Sequence, residues 1–127
     1  MKIKKIKKKI LIIEDDKNLV RLLKDALPKN RYEVLLAIDG QEGLSKAKKG
    51  KPDLIILDIL LPGKSGFDVL EEVKSDSDTK KIPVLILSNL GQEQEIQIGM
   101  NLGAADYLIK ADFTINDVVK KVNSMFK

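Results

Sequence analysis

Five short apolar runs recur along this 127-residue chain: ILII at 10–13, VLLA at 34–37, LIIL at 54–57, VLIL at 84–87 and YLI at 107–109. None alternates apolar with polar residues, so a strand built from any of them has both faces buried. That excludes a sheet with one face in water. It demands helices above and below, and the segments between the runs carry the helical period.

After the first run, Leu19, Leu22, Leu23, Ala26 and Leu27 fall at i, i+3, i+4, i+7 and i+8, and Pro28 stops the pattern. Asp39 followed by Glu42 resembles a capping box and opens a second helix through Leu44 and Ala47, ending at Gly50. Ser65 with Asp68 starts a third, bearing Phe67, Leu70 and Val73. A fourth is expected over 92–102, although Gly99 lies inside it and costs about 1 kcal/mol relative to Ala. Thr114 and Asp117 start the last, with Ile115, Val118, Val119, Val122 and Phe126 on one side. Five strand-helix repeats imply an α/β fold: a doubly wound, five-stranded parallel sheet with right-handed crossovers.

The length suits one domain with a real core, and no apolar run approaches membrane-spanning length. Cys and His are both absent, which removes disulfides, thiolate chemistry and imidazole ligands. Chemistry must come from carboxylates, hydroxyls and lysines. The formal charge of +4 belongs to one end. Residues 1–9 hold six lysines and no acid, and without them residues 10–127 carry −2. The expectation is a basic, solvated leader at 1–9 ahead of a single domain at 10–127, with no direct binding of nucleic acid, since no aromatic platform accompanies the lysines.

In open sheets of this kind ligands bind beyond the carboxyl ends of the strands, where strand order reverses. Glu14, Asp15 and Asp16 follow the first run, Asp58 the third, Ser88 and Asn89 the fourth, and Lys110 the fifth. In the order 2-1-3-4-5 these meet around one pocket. Two like charges 4 Å apart repel by about 4 kcal/mol at an effective dielectric of 20, so clustered carboxylates invite a cation. Oxygen ligands without His or Cys select Mg²⁺ or Mn²⁺. A carboxylate beside such an ion can act as a nucleophile toward phosphorus, with Lys110 and the Ser88 hydroxyl on the phosphoryl oxygens. Asp16 reads as the cap of the first helix.

The segments ILIIEDD, LIILDILLPGKSG, PVLILSN and GAADYLIK together resemble the receiver domain of two-component response regulators over residues 10–126. The resemblance implies a flavodoxin-like receiver fold and a cytoplasmic signalling phosphoprotein, not an enzyme beyond its own phosphorylation and slow dephosphorylation. It implies Asp58 as phosphoacceptor, Asp15 as a direct metal ligand, Glu14 as a water-mediated one and the Leu60 backbone carbonyl as a further ligand. Ser88 becomes the switch hydroxyl, Tyr107 the rotating aromatic that moves inward as Ser88 shifts, and Lys110 the phosphate-binding lysine. Asn89 stands where the family prefers a small residue and narrows access to Asp58. The implied partners are a histidine kinase or histidine phosphotransfer protein and an effector at the helix 4, strand 5, helix 5 face. The implied state is a monomer or a phosphorylation-dependent dimer. The family lysine usually precedes proline, often through a cis bond. Here Ala111 follows, and a cis bond without proline costs about 3 to 4 kcal/mol, so a trans bond is expected.

Other readings are a degenerate receiver that binds a partner without phosphorylation, a haloacid-dehalogenase-like phosphatase and a flavodoxin-like cofactor binder. The phosphatase would want a second Asp where Leu60 stands. The cofactor binder would want a phosphate-friendly loop where this chain has Glu14 to Asp16.

Overall fold

A computed structural model describes residues 6–126. Strands β1 (Lys8–Ile13), β2 (Tyr32–Ala37), β3 (Leu54–Leu57), β4 (Val84–Ser88) and β5 (Asp106–Ile109) form one sheet, all neighbours parallel, in the order β2-β1-β3-β4-β5. Helices α1 (Lys17–Ala26), α2 (Gly40–Gly50), α3 (Gly66–Ser75), α4 (Glu93–Asn101) and α5 (Ile115–Met125) connect and follow them. The architecture is the one the apolar runs demand.

Alternation along each strand divides the interior into two layers. Leu11, Ile13, Ile55, Leu57, Val84 and Ile86 face one core, filled from α2 and α3 by Ala47, Val69, Leu70 and Val73. Ile10, Ile12, Leu54, Ile56, Leu85 and Leu87 face the other, filled from α1 and α5 by Leu23, Val118 and Val122. Both faces of the central strands β1, β3 and β4 are covered, which is why their runs contain no polar residue.

The strand bounds differ from the apolar runs where backbone pairing outlasts side-chain burial. β1 begins at Lys8 because Lys8 and Lys9 pair with Tyr32 and Glu33, and the Lys9 N–H donates to the Asp53 carboxylate at 2.8 Å. Those two residues, placed in the leader by composition, therefore belong to the sheet; residues 1–5 lie outside the described part. β4 runs one residue further than its apolar run and includes Ser88, which pairs with Ile109.

Helix starts follow the local signals. Asp16 caps α1, accepting from the N–H groups of Asn18 and Leu19, and Ser65 caps α3 through Phe67. Thr114 and Asp117 cap α5 reciprocally, at 3.1 and 3.0 Å. The Asp39 and Glu42 pair departs from a reciprocal box. Asp39 accepts from Glu42 at 2.8 Å, but Glu42 reaches one residue further back, to the Ile38 N–H at 2.9 Å. Leu22, assigned by period to the buried face of α1, is 53% exposed, because α5 covers only part of that face.

Gly99 inside α4 has a packing reason. A Cβ there would stand 2.8 Å from Ile86 Cδ1 and 3.1 Å from Tyr107 Cδ2. Helix propensity is sacrificed so that α4 can lie against the Tyr107 ring.

Candidate functional site

The carboxyl edge of the sheet gathers the predicted polar residues. Glu14 and Asp58 each extend the backbone ladder by one bond, from the Glu14 N–H to Ala37 and from the Asp58 N–H to Ile13, at 2.9 and 3.1 Å. Their backbones are thus fixed by the strands while their side chains emerge above them. Both side chains are nearly buried, with Glu14 3% and Asp58 5% exposed, and the neighbouring Asp15 is open to solvent.

Lys110 opens a single 3-10 turn, Lys110–Asp112, directly after β5. No cis peptide bond occurs among the described residues, so the Lys110–Ala111 bond is trans. The side chain still reaches the acids, its Nζ standing 2.7 Å from Glu14 Oε1 and 2.8 Å from Asp58 Oδ2. The second Asp58 oxygen accepts from the Leu60 N–H at 3.2 Å, and the second Glu14 oxygen from the Asp16 N–H at 3.1 Å.

The electrostatics favour a further positive charge. Burial pushes the Glu14 carboxyl up to about 7, against the opposing hydrogen bonds from Lys110 and Asp16, and the nearby Asp58 charge adds to the rise. Burial works against the Lys110 ammonium as well, but its hydrogen bonds to Asp58 and Glu14 outweigh it and raise that pKa. One ammonium serves two carboxylates, with a third beside them. One oxygen from each of Glu14, Asp15 and Asp58 lies within 4.8 Å of the other two. Three hard oxygens, two of them desolvated and none accompanied by imidazole or thiolate, fit a divalent cation such as Mg²⁺ or Mn²⁺.

On the other flank, Ser88 is fully buried and its Oγ accepts from the Leu90 N–H at 3.4 Å. The Tyr107 hydroxyl donates to the carbonyl of the same Leu90 at 2.6 Å. The two side chains therefore hold opposite ends of one residue in the β4–α4 loop. Tyr107 stands turned inward in this structure, only 8% exposed. Burial raises the pKa of its phenol, helped by the Glu95 and Asp58 charges. Asn89 is exposed on the same loop, and Leu60 meets Asp58 through its N–H while its side chain is 55% exposed.

Three contributors escaped the sequence reading. Leu90 has no chemistry of its own and enters only through its backbone. Gly66 is the second: a Cβ there would lie 2.3 Å from the Asp58 carbonyl oxygen and 2.5 Å from Ile59 Cα. The start of α3 is thereby pressed against the chain that carries Asp58. Gly99 is the third, visible in the sequence only as a blemish in a helix. A glycine immediately after a capping serine was the one available signal for Gly66.

Comparison with known proteins agrees with this geometry. The family model for the response regulator receiver domain matches residues 10–123. The alkaline phosphatase synthesis transcriptional regulatory protein PhoP of Bacillus subtilis is 36% identical over 120 residues, covering 94% of this chain and 49% of that protein. The chain thus spans about half the length of that regulator. Among solved structures, the phosphorylated cyanobacterial phytochrome response regulator RcpA superposes with a TM-score of 0.81 at 33% identity, covering 94% of this chain and 91% of its own. The Mn²⁺-bound form of response regulator Rcp1 superposes with a TM-score of 0.73 at 30% identity, covering 93% and 91%. With its five-stranded order, its acidic edge and its lysine in place, this chain belongs to the response regulator receiver domains, a family of two-component signalling modules.

Proposed function

We propose that the chain is a phosphorylation-activated receiver in which Asp58 accepts a phosphoryl group from a phosphohistidine on a histidine kinase or histidine phosphotransfer protein. The observation that carries this reading is the Lys110 ammonium shared between Asp58 and Glu14 at 2.8 and 2.7 Å. A lysine so placed is within a short swing of any group bonded to Asp58.

Glu14, Asp15 and Asp58, with the Leu60 carbonyl, would hold Mg²⁺ or Mn²⁺, whose charge offsets that of the phosphoryl group as it transfers. An Asp58 carboxylate oxygen forms the new bond to phosphorus. The phosphorus–nitrogen bond of the donor breaks with its electron pair going to the imidazole, which leaves as the neutral ring or takes a proton from solvent. Lys110 then exchanges its carboxylate contact for a phosphoryl oxygen. Ser88 gives up the Leu90 N–H to donate to another, which releases one of the two ties on the β4–α4 loop. With Tyr107 already inward, the switched quantity is that loop, and through it the face formed by α4, β5 and α5. Asn89, exposed on the loop after β4, would limit access to Asp58.

A donor protein has a surface to cover. Leu60 and Phe113, 55% and 40% exposed, follow the carboxyl ends of β3 and β5 on the edge of the sheet that carries Asp58. Exposed apolar residues around a charged site favour a protein donor over a small one.

The inward Tyr107 also favours a second reading, a receiver that binds its partner without phosphorylation. Intact mass separates the two. After incubation with acetyl phosphate and Mg²⁺ the wild-type chain gains one phosphoryl group and Asp58→Asn gains none. A folded wild-type chain that gains none in the presence of Mg²⁺ leaves the second reading standing.

A further inference from the structure

A groove of about 520 Å³ runs between α1 and β2, on the side of α1 away from Lys110 and Phe113. Its rim is cationic. Lys17, Arg21 and Lys24 line it from α1 at i, i+4 and i+7, and Lys29 joins them from the loop that follows, against two acids, the neighbouring Asp25 and the nearly buried Glu14. All four cations are exposed, and none makes an ion pair among the described residues, whereas Lys46, Lys48, Lys64, Lys110 and Lys121 all do. The floor is apolar and open, formed by half-buried Val20 and Leu36 and by Ile38, which is 56% exposed. β2 pairs with β1 alone, so the groove follows a free edge of the sheet.

We propose that this groove, which meets the phosphoacceptor pocket at Glu14, is a second docking site, for an extended acidic peptide segment of a partner protein. The spacing selects the extended form. Helix positions i, i+4 and i+7 span about 10 Å, at 1.5 Å per residue. Three alternate side chains of an extended strand span about 13 Å, at 3.3 Å per residue. Flexible lysine and arginine side chains absorb the difference, so acids on alternate residues meet the rim while intervening apolar side chains meet Val20, Leu36 and Ile38. The concave shape disfavours a lipid surface, and the absence of any aromatic side chain from the lining disfavours stacked nucleobases.

The test uses the full chain and a dye-labelled decapeptide that alternates glutamate with leucine and serine. Fluorescence anisotropy is expected to show saturable, salt-sensitive binding, weakened at least tenfold by Lys17→Glu with Arg21→Glu and unchanged by Lys80→Glu with Lys81→Glu. Lys24→Ala with Lys29→Ala, a milder change, is expected to weaken it several-fold, and far-ultraviolet circular dichroism checks that each variant is folded. Amide shift mapping should place the peptide along α1 and β2. Shifts confined to the lysines of residues 2–9, equal weakening by both charge-reversed pairs, or no saturable binding would each overturn the proposal. So would concentration-dependent self-association abolished by the groove variants, which would make a second copy of this chain the occupant.

Discussion

Lys110 is the residue on which the site's charge balance turns. Its ammonium touches both buried carboxylates, and the structure gives Asp58 and Glu14 no other cationic partner among the described residues. Removing it leaves two nearly buried carboxylates without the one cation that stands between them, a place a divalent cation can take. Lys110→Ala is therefore expected to bind Mg²⁺ several-fold more tightly by isothermal titration, while losing the conformational response to phosphorylation. Unchanged or weaker Mg²⁺ affinity would show that Lys110 and the cation do not compete for the same carboxylates. Gly66 makes a different kind of contribution, through the absence of a side chain. The atoms that an added Cβ would strike belong to the backbone of Asp58 and Ile59 and cannot swing aside. Gly66→Ala should cost about 1 to 3 kcal/mol in urea unfolding and slow phosphorylation of Asp58. A variant of wild-type stability and rate would mean that α3 does not set the position of the nucleophile.

α4 is the element whose sequence and packing disagree most openly. Its glycine weakens the helix by about 1 kcal/mol, yet the position faces Ile86 and the Tyr107 ring at 2.8 and 3.1 Å. Gly99→Ala should gain the propensity and lose more to overpacking, for a net destabilisation of about 1 kcal/mol. The less costly relief is for the ring to turn outward and give up the Leu90 carbonyl. The chain has no Trp and two Tyr, so a Tyr32→Phe background leaves Tyr107 as the single intrinsic fluorophore of its kind. Acrylamide quenching of that fluorescence should rise in Gly99→Ala, and equal quenching would place the ring's support elsewhere than in α4. The caps of α1, α3 and α5 were readable because a cap depends on residues within one turn. The Glu42 contact to Ile38 was misread by one residue because local spacing does not say which N–H the entering chain presents.

Across the whole molecule, acid should unfold the protein through a few surface carboxylates. The Asp78 N–H, then Lys48, hold Asp76 below its ordinary value, and the Thr114 N–H does the same for Asp117. Partial burial opposes the shift at Asp106, but Lys121 and the Tyr107 N–H outweigh it. Each carboxyl is lower in the folded than in the unfolded chain, so its contribution is present above pH 3.8 and lost as pH falls through and below that value. The thermal midpoint is therefore expected to drop as pH falls from about 5 to about 2, and Asp106→Asn should flatten part of the drop. A midpoint indifferent to pH over that range would show that these contacts do not persist in solution.

The sheet, its two cores and the company that Asp58 keeps were all determined by the sequence alone. Continuous apolar runs leave a strand no solvent face, and strand-helix alternation leaves few topologies, so the polar residues after β1, β3, β4 and β5 had to converge. Tertiary structure alone decided three other things. Leu22 stays exposed because a helix's period tells which residues share a face, not how far the neighbouring helix reaches over it. Tyr107 lies inward because Gly99, eight positions away in the chain, leaves it room, and a missing side chain reveals its purpose only beside the group that fills the gap. Leu90 joins Ser88 to Tyr107 because both its backbone groups find side-chain partners, and every residue but proline offers those same two groups.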